Sequence, residues 1–507
     1  MRNATFTASA RKVGLRSERG PVLASVMLTT GLVALDSTII ATAVPSVVRD
    51  LGGFAHFPWL FSVYLLTAAV TTPLYGKLAD VFGRKPVMLF GVAVFLLGSV
   101  LCGAAWGMLS LIIFRAVQGI GAGAIQPMSM TIIGDLYTVE ERARVQGYVA
   151  GVWGVSSVIG PTLGGVFSEY LSWRWIFFVN IPLGLVAAWM LIRHLKEQVQ
   201  RREHRVDYLG ATLLVTGCTL LILGTLEGGI TWPWASAPSI TIFAAGALLI
   251  AAFVFVERRA AEPVLPLWVF RHRTLVGGNV ASLIIGALLI GLSSYVPNFA
   301  QGVLGASAVV AGFVLAAMTL GWPIAATASG HIYLKIGFRN TALVGSVVVI
   351  AGTVLCALLS RHTTILMLGL ACFVIGVGLG LMSSPSLVAV QSVVGWERRG
   401  MVTGTNMFFR SIGSAVGVAV FGAIANTTLE RRFADAPPDI RPELAAGTDA
   451  TSIVLKAGQA TGAVADYVRS SLYAATHHVF VALAVVGVLA VGALLLMPRR
   501  TEQIPVE

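Results

Sequence analysis

Fourteen apolar stretches, each long enough to cross a lipid bilayer, divide this chain of 507 residues. A helix needs about 20 residues to span the hydrocarbon layer. The stretches lie at residues 21–44, 57–77, 86–105, 108–133, 146–168, 174–194, 208–228, 236–256, 275–297, 307–330, 341–360, 364–390, 401–425 and 476–497. Only 11% of the residues are charged, whereas a soluble domain carries roughly 25%. The sequence therefore predicts an all-α integral membrane protein with 14 transmembrane helices, and it argues against a soluble enzyme or a disordered chain.

Positive charge is unevenly distributed between the two sides of the membrane. The chain has 35 Lys and Arg residues against 23 Asp and Glu, and its net charge is +12. In a soluble protein this balance would favour nucleic acid, but here most basic residues fall in the two terminal tails and in the loops on the same side. Because cytoplasmic loops are enriched in Lys and Arg, we expect a multi-pass protein of the cell (cytoplasmic) membrane with both termini in the cytoplasm and no nucleic-acid partner. The basic N-terminus precedes an apolar span without a small-residue cleavage site, which predicts a first membrane helix rather than a removable signal peptide.

The sequence lacks the patterns that mark common enzymes and metal sites. The four cysteines lie within apolar stretches and form no C-x-x-C pair, so neither a disulfide nor a zinc site is expected. The nucleotide-binding pattern G-x-x-x-x-G-K-[ST], the zinc pattern H-E-x-x-H and the hydrolase pattern G-x-S-x-G are all missing. We therefore expect no enzyme activity, no metal site and no built-in ATPase.

Two segments of similar sequence, 76–85 and 330–339, indicate an internal duplication. They read GKLADVFGRK and GHIYLKIGFR. Each has a glycine, a second glycine seven residues later, and then a cation within two residues. The second copy has Leu334 where the first has Asp80. Many transporters are built from such repeats.

The duplication predicts two six-helix halves with two additional helices between them. The predicted division is a cytoplasmic N-terminal tail (1–20), an N-terminal half (21–194), the two additional helices with their flanking loops (195–274), a C-terminal half (275–497) and a cytoplasmic C-terminal tail (498–507). The polar segment 426–475 is interpreted as a flexible external loop with a short helix near 450–469. A substrate lid is the alternative.

Six short motifs, spread in order over nearly the whole chain, resemble those of the major facilitator superfamily and, more closely, of its fourteen-helix drug:proton antiporter-2 family. The motifs are LDSTIIATAVP at 35–45, GKLADVFGRK at 76–85, RAVQGIGAG at 115–123, GPTLGG at 160–165, WRWIFFVNIP at 173–182 and EPVLPLWVF at 262–270. One departure is Thr42, since many members carry Asn nearby. The resemblance implies the major facilitator fold and a transporter that works by alternating access, with a proton gradient as its energy source and no cofactor.

The second motif implies a conformational latch. Its residues are Gly76, Asp80, Gly83 and Arg84. Since helix N-termini attract anions, we expect the carboxylate of Asp80 to face the start of the thirteenth span, near 399–403. A solvated loop charge is the alternative.

Glycines crowd the fifth span around a proline. The motif residues are Gly160, Pro161, Gly164 and Gly165. Glycine lets helix backbones approach closely in lipid, and proline removes a backbone donor and bends a helix. The resemblance implies a kinked antiporter helix at the interface of the two halves, which rocks during transport and limits proton leak. Ordinary small-residue packing is the alternative.

Asp36 is the only carboxylate deep within a predicted span. It lies about 12 Å from the outer end of the first span, and Arg115 lies about 10 Å from the outer end of the fourth, at ~1.5 Å per residue. Similar depth makes a contact between them plausible. We predict that Asp36 carries the coupling proton with Arg115 as its partner, and that a cationic drug competes with this proton. A structural ion pair is the alternative.

Seven aromatic or polar residues are predicted to line a substrate cavity. They are Tyr64, Gln118, Gln126, Trp153, Tyr295, Asn298 and Arg410. A large apolar cavity with a few polar groups suits amphipathic ligands. Each of these side chains could instead serve packing, and Arg410 could either line the cavity or stabilise the bundle.

The sequence thus predicts proton-driven efflux of hydrophobic or cationic small molecules, and with it drug resistance. A dedicated exporter of one endogenous metabolite, antibiotic or lipid-like molecule is the alternative within transport. A channel or a non-transporting receptor on the same fold is the alternative outside it. The expected partners are small-molecule substrates, protons and the lipid bilayer, for a monomeric protein.

Overall fold

A computed structural model describes residues 14–52, 56, 59–197, 207–228, 231–260, 262–437 and 462–500. Within these residues, 14 helices are long and apolar enough to cross a membrane, as the sequence predicts. In chain order the helices are α1 (Gly20–Leu51), α2 (Trp59–Phe82), α3 (Arg84–Gly103), α4 (Met108–Leu136), α5 (Val139–Tyr170), α6 (Trp175–Phe178), α7 (Asn180–His194), α8 (Tyr208–Glu227), α9 (Ala237–Glu257), α10 (Arg273–Gly302), α11 (Ala308–Ile336), α12 (Phe338–Ala357), α13 (Ile365–Ser392), α14 (Arg399–Ala434) and α15 (Ala463–Leu495). The short α6 and α7 together form one span, and the described part of the chain holds no β-strand.

Local sequence determines where several helices begin. A proline occupies the first turn of α1, where its missing N–H costs nothing. Before α5, the Glu141 carboxylate accepts a hydrogen bond from the backbone N–H of Thr138 over 3.0 Å, which is one half of a capping box. Before α8, the Asp207 carboxylate accepts from the N–H of Gly210 over 2.8 Å. These caps satisfy backbone donors that a helix start leaves unpaired.

The two predicted repeat segments have the same backbone geometry. Gly83 separates α2 from α3 with φ 98° and ψ 159°. Gly337 separates α11 from α12 with φ 84° and ψ 162°. Both values lie where only glycine is comfortable, so each repeat needs glycine at this turn. The match supports the internal duplication inferred from sequence.

Apolar side chains form separate cores in the two parts of the chain. One large cluster is built from buried residues between 22 and 195, and another from residues between 281 and 497. Of the additional helices, α8 packs against α2 and α14 through a smaller cluster, and α9 packs against α8. Large apolar side chains also lie exposed on outer helix faces, for example Leu97 and Leu489. Such faces fit a lipid environment.

The segment between α14 and α15 is shorter than the predicted loop. Helix α14 continues to Ala434 and α15 already begins at Ala463, so both ends of the predicted loop 426–475 are helical. The sequence reasoning was misled because these added turns are polar and project beyond the apolar stretch that periodicity detects. The part of the predicted helix 450–469 that precedes 462 lies outside the described residues.

The far end of α1 is tied to the turn before α6. The Asp50 carboxylate accepts hydrogen bonds from Trp173 Nε1 over 3.0 Å and from Arg174 Nη1 over 2.7 Å. These two bonds lower the pKa of the exposed Asp50 carboxyl below its ordinary value. The contact links the exposed end of α1, opposite to Gly20, to this turn.

Candidate functional site

An ion pair is buried between α1 and α4. Arg115 donates from Nη1 to Oδ2 of Asp36 over 2.5 Å, and both side chains are 1% exposed. The structure confirms the contact that similar depth on two spans predicts. The pair lies among helices of the first half, away from the additional helices.

Amide side chains complete the surroundings of the carboxylate. Gln118 donates from Nε2 to Asp36 Oδ1 over 2.7 Å, and Asn180 on α7 donates to the same oxygen over 3.1 Å. Gln118 also accepts from Arg115 Nη1 over 2.7 Å and donates to Ser99 Oγ on α3 over 2.8 Å. The network thus joins four helices around one carboxylate.

The guanidinium of Arg115 is held from the side of α2. Its Nε donates to the carbonyl of Leu60 over 3.1 Å. Its central carbon lies 4.1 Å from the ring centroid of Tyr64, a cation–π distance. The Tyr64 side chain is itself only 3% exposed. The ion pair is therefore closed to water and to ligands in this conformation.

This arrangement makes a charge tolerable inside a membrane. A carboxylate that receives three hydrogen bonds, one of them from a guanidinium, replaces the water it has lost. Removing one member of a buried pair costs about 3–5 kcal/mol, because the other charge is left uncompensated. A proton or a ligand can reach Asp36 only after α1, α2 or α4 has moved.

A second polar site joins the two halves at the end of the bundle where α2 ends and α3 begins, which we name the latch end. The Asp80 carboxylate accepts hydrogen bonds from the backbone N–H groups of Gly400 and Met401, over 2.9 and 2.8 Å. These are the first residues of α14. The structure confirms the predicted approach of Asp80 to this helix start, where the helix dipole favours an anion.

Arg84 connects Asp80 to further groups at the latch end. It lies 2.9 Å from Asp80 Oδ1 and donates from Nε to Asp135 on α4 over 2.9 Å. It also donates to the carbonyl of Trp396, and its central carbon lies 3.8 Å from the Trp396 ring centroid. Arg399 then bonds Asp135 from the other half over 2.6 Å. Asp80, Arg84, Asp135 and Arg399 thus form a row of alternating charges. Arg399 lies in the second half, and the other three lie in the first.

Glycine allows α2 and α14 to meet at this point. A Cβ on Gly76 would lie 2.8 Å from the carbonyl oxygen of Gly400. No larger residue fits without moving one of the two helices. Gly83 supports the latch differently, through the turn that places Arg84 at the start of α3.

Further contacts between the halves lie on the same side of the bundle. Ser384 donates to Gln146 over 2.6 Å, Gln391 donates to the carbonyl of Met130 over 3.1 Å, and the Tyr333 hydroxyl donates to the carbonyl of Val139. Arg399 also donates to the carbonyl of Gly134 over 2.9 Å, and Ser157 and Thr319 form a 3.4 Å pair farther along α5 and α11. The halves are therefore held together at the latch end.

Helix α5 lies at the interface of the two halves, packed against α11, but two glycines of its motif face the first half. A Cβ on Gly160 would lie 2.0 Å from Thr38 Oγ1, and one on Gly164 would lie 2.4 Å from the carbonyl oxygen of Ile39, both on α1. These glycines thus pack within the first half and not across the interface. The interface between α5 and α11 is formed nearer the latch end, where Gly147 meets Thr327.

The other two motif residues of α5 make no such approach. Pro161 lies half-buried within a continuous helix, and a Cβ on Gly165 would meet open space. The sequence could not indicate which helix Gly160 and Gly164 face, because small residues carry no pattern that identifies their neighbour.

The predicted cavity residues divide into three groups. Tyr64 and Gln118 are buried in the ion-pair network and do not line an accessible cavity. Gln126, Trp153 and Tyr295 are half-buried, and Asn298 is exposed. The remaining residue, Arg410, is half-buried on α14. Sequence alone could not separate these groups, because an aromatic or amide residue within a span suits a buried network as well as a cavity wall.

Among the described residues, the side chain of Arg410 forms one hydrogen bond to a neighbouring helix. Its Nη2 donates to Ser383 Oγ on α13 over 2.9 Å, while its Nε has no hydrogen-bond partner. Within the described residues no carboxylate lies at ion-pair distance from it. The same residues contain no group of three His, Cys, Asp or Glu side chains that could hold a metal ion.

Sequence reasoning missed several members of these two sites. Asp135, Trp396 and Arg399 complete the latch, and Asn180 and Ser99 complete the buried network. The available signal was an acid or a cation at the end of a span on the same side as Asp80. Such a signal gives the side of the membrane but not the partner.

Comparison with known proteins now places the chain in a family. The profile described as Major Facilitator Superfamily matches residues 26–418. The chain belongs to the major facilitator superfamily. Members of this superfamily are transporters and not enzymes, so the chain is a multi-pass membrane transporter.

Its relatives include drug transporters and efflux pumps. Multidrug resistance protein 3 of Bacillus subtilis is 36% identical over 415 residues, which cover 82% of this chain and 81% of that protein. The multidrug transporter protein MdtP of the same organism is 36% identical over 415 residues, covering 82% and 77%. The efflux pump dotC of Dothistroma septosporum is 30% identical over 417 residues, covering 81% and 72%.

A solved structure agrees with the fold. The human organic anion transporter MFSD10 (TETRAN) superposes with a TM-score of 0.62 at 15% identity, covering 94% of this chain and 99% of that one. At this identity the likeness concerns the fold alone. It supports the major facilitator fold that the motifs predict.

Proposed function

We propose that this transporter exports hydrophobic or cationic small molecules from the cell in exchange for protons, by alternating access. The observation that carries the proposal is the buried pair of Asp36 and Arg115. Ionisable groups deep within membrane helices mark ion and proton pathways. The names of the bacterial relatives, a multidrug resistance protein and a multidrug transporter, support drug-like substrates.

Asp36 is the proposed carrier of the coupling proton. In the conformation described here, Arg115, Gln118 and Asn180 compensate the charge of its carboxylate. When helix movement separates the carboxylate from Arg115, protonation becomes the alternative way to remove the charge. Proton uptake on one side and release on the other then follow the movement of the two halves.

The latch contacts determine the membrane face at which the transport cavity is closed. We propose that the latch end faces the cytoplasm, since the basic tails and loops lie on that side. The conformation described here then keeps its cytoplasmic end shut. Export requires the latch contacts of Asp80 to open so that substrate can enter from the cytoplasm or the inner leaflet. We place the protein in the cell membrane, as a monomer that needs no cofactor besides the proton gradient.

The test compares Asp36→Asn with Asp50→Asn in proteoliposomes. Both substitutions remove a carboxylate from α1, but Asp50 lies at its exposed end. We expect Asp36→Asn to lose ethidium transport driven by an imposed pH gradient while it keeps downhill exchange, and Asp50→Asn to behave as the wild type. Proton-driven accumulation at the wild-type rate in Asp36→Asn would contradict the proposal.

A double variant separates coupling from structural support. Asp36→Asn leaves Arg115 buried and uncompensated, which alone can destabilise the protein by about 3–5 kcal/mol. The variant Asp36→Asn/Arg115→Gln removes both charges. If the pair serves structure only, this double variant regains proton-driven transport. If Asp36 carries the proton, the double variant folds and still transports only downhill.

A further inference from the structure

Arg410 is a charged side chain that remains accessible in the middle of the helix bundle. Three charged side chains lie deep within the predicted spans, and two of them, Asp36 and Arg115, are 1% exposed. Arg410 is half-buried instead. It lies about 16 Å along α14 from Arg399, at ~1.5 Å per residue. A side chain that is deep within the bundle and still accessible borders an internal cavity.

The charge of Arg410 is not compensated by the protein. Arg115 has a carboxylate at 2.5 Å and a glutamine at 2.7 Å. Arg410 has Ser383 Oγ at 2.9 Å, and none of the described acids lies at ion-pair distance. Its Nε is buried and lacks any acceptor. A guanidinium has five N–H donors and no acceptor, and the bond to Ser383 uses one donor of Nη2, so the other donors of the two terminal nitrogens are free for a ligand.

This difference determines the charge that the cavity presents. The ion pair of Asp36 and Arg115 is neutral as a unit and closed to ligands by burial. Arg410 therefore gives the accessible interior a positive charge. A lone arginine in a membrane span costs about 2.5–3.5 kcal/mol on insertion scales, and an anionic ligand would remove part of that cost.

The side chains on the same face of α14 as Arg410 are uncharged. Met407 lies one turn before it and Ser414 one turn after it, whereas Phe409 packs towards α8 and α9. Ser411 and Ser414 are half-buried on the same helix and bond backbone carbonyls of α14, so they bring no charge. Apolar surface with one cation is the environment in which a planar carboxylate can receive two parallel N–H bonds from arginine.

We propose that Arg410 anchors the carboxylate of amphipathic organic acids in the transport cavity. This inference rests on the proposed export function and adds amphipathic acids to its substrates. A carboxylate binds the free donors of Arg410, and the apolar part of the molecule packs against apolar side chains of the bundle. Neutral analogues of the same shape lack the anchor and bind more weakly.

The experiment measures binding of 1-pyrenebutyrate and of its neutral amide, 1-pyrenebutyramide. The protein is held in nanodiscs of zwitterionic lipid, and binding is followed by energy transfer from protein tryptophan to pyrene, with empty nanodiscs as the blank. We expect the wild type to bind the acid roughly tenfold more tightly than the amide, which corresponds to about 1.4 kcal/mol. Arg410→Gln should abolish this preference and leave the affinity for the amide unchanged.

Two further variants make the result specific. Arg431→Gln removes the same charge from an exposed position near the end of α14 and should keep the preference. Arg410→Lys keeps the charge without the planar fork and should reduce the preference to between one and tenfold. If Arg410→Gln is not monodisperse, Arg410→Lys decides, since an unchanged ratio in that variant overturns the proposal.

Other outcomes also contradict the inference. Equal affinity of the wild type for acid and amide would overturn it, as would an equal loss of both ligands in a well-folded Arg410→Gln. The measurement needs no proton gradient. A failure here therefore leaves proton-driven export of cations intact, and a failure of proton coupling in Asp36→Asn leaves acid binding to be judged by itself.

Discussion

The charged residues within the membrane spans are explained by the free-energy cost of placing a charge inside a membrane. Asp36 and Arg115 each remove the charge of the other, and amides fill the remaining positions around the carboxylate. Arg410 lacks such a partner. The two arginines therefore differ in function although both interrupt an apolar span. The first belongs to a closed network and the second is available to a ligand.

Gln118 connects three other residues of the buried network. It bonds Asp36, Arg115 and Ser99 over 2.7, 2.7 and 2.8 Å. We expect Gln118→Leu, which keeps the volume, to lower the free energy of unfolding by about 1.5–3 kcal/mol, the value of a hydrogen bond to a charged group. Thermal unfolding of the purified protein measures this. Gln126→Leu on the same helix is the control, because Gln126 is half-buried outside the network. Equal melting temperatures for the two variants would contradict the assignment.

At the scale of the helices, the positions of glycine determine which helices can pack closely against each other. Helix α5 meets α1 at Gly160 and Gly164, and it meets α11 at Gly147. Helix α2 meets α14 at Gly76. Without a hydrophobic driving force in lipid, such close packing is what holds membrane helices together. The glycine motif of α5 thus fixes α1, the helix that carries Asp36, against α5.

Gly160 and Gly165 offer a matched pair on α5. A Cβ on Gly160 would lie 2.0 Å from Thr38 Oγ1, while one on Gly165 meets nothing within 4 Å. We expect Gly160→Leu to insert into the membrane and lose transport, because the added side chain pushes α1 away and displaces Asp36. Gly165→Leu should transport normally. Ethidium efflux at equal surface expression measures both. Full efflux by Gly160→Leu would show that the contact is dispensable.

The sequence predicted the positions of the helices better than it predicted which helices contact each other. Apolar length located every span, and depth within two spans predicted the pairing of Asp36 with Arg115. A carboxylate beside a helix start predicted the contact of Asp80 with Gly400. The direction of Gly160 could not be predicted, because glycine has no side chain whose polarity indicates a partner. The burial of Tyr64 could not be predicted either, because its ring suits a cavity wall and a cation–π contact equally well.

For the whole molecule, the distribution of contacts between the halves defines its conformational state. Charged contacts join the halves at the latch end, through Asp80, Arg84, Asp135 and Arg399. Among the described residues no hydrogen bond joins the halves at the opposite end. The proposed alternating access requires this asymmetry to reverse, and two arrangements with similar free energies can be shifted by a small number of contacts.

Asp80→Asn tests the latch as a determinant of this equilibrium. The carboxylate accepts two backbone N–H bonds from α14 and pairs with Arg84. An asparagine keeps the shape but has no charge and one acceptor oxygen, so we expect the closed latch to lose about 2 kcal/mol, a shift of roughly 30-fold in a two-state equilibrium. Spin labels on Phe82→Cys and Leu334→Cys, both exposed at the latch end, report the separation of the halves by electron–electron resonance. The variant should show a larger share of long distances and slower efflux. Asp466→Asn, an exposed acid in the first turn of α15, is the control and should leave both unchanged. An unaltered distance distribution in Asp80→Asn, at normal expression, would show that the other latch contacts hold the halves together without this carboxylate.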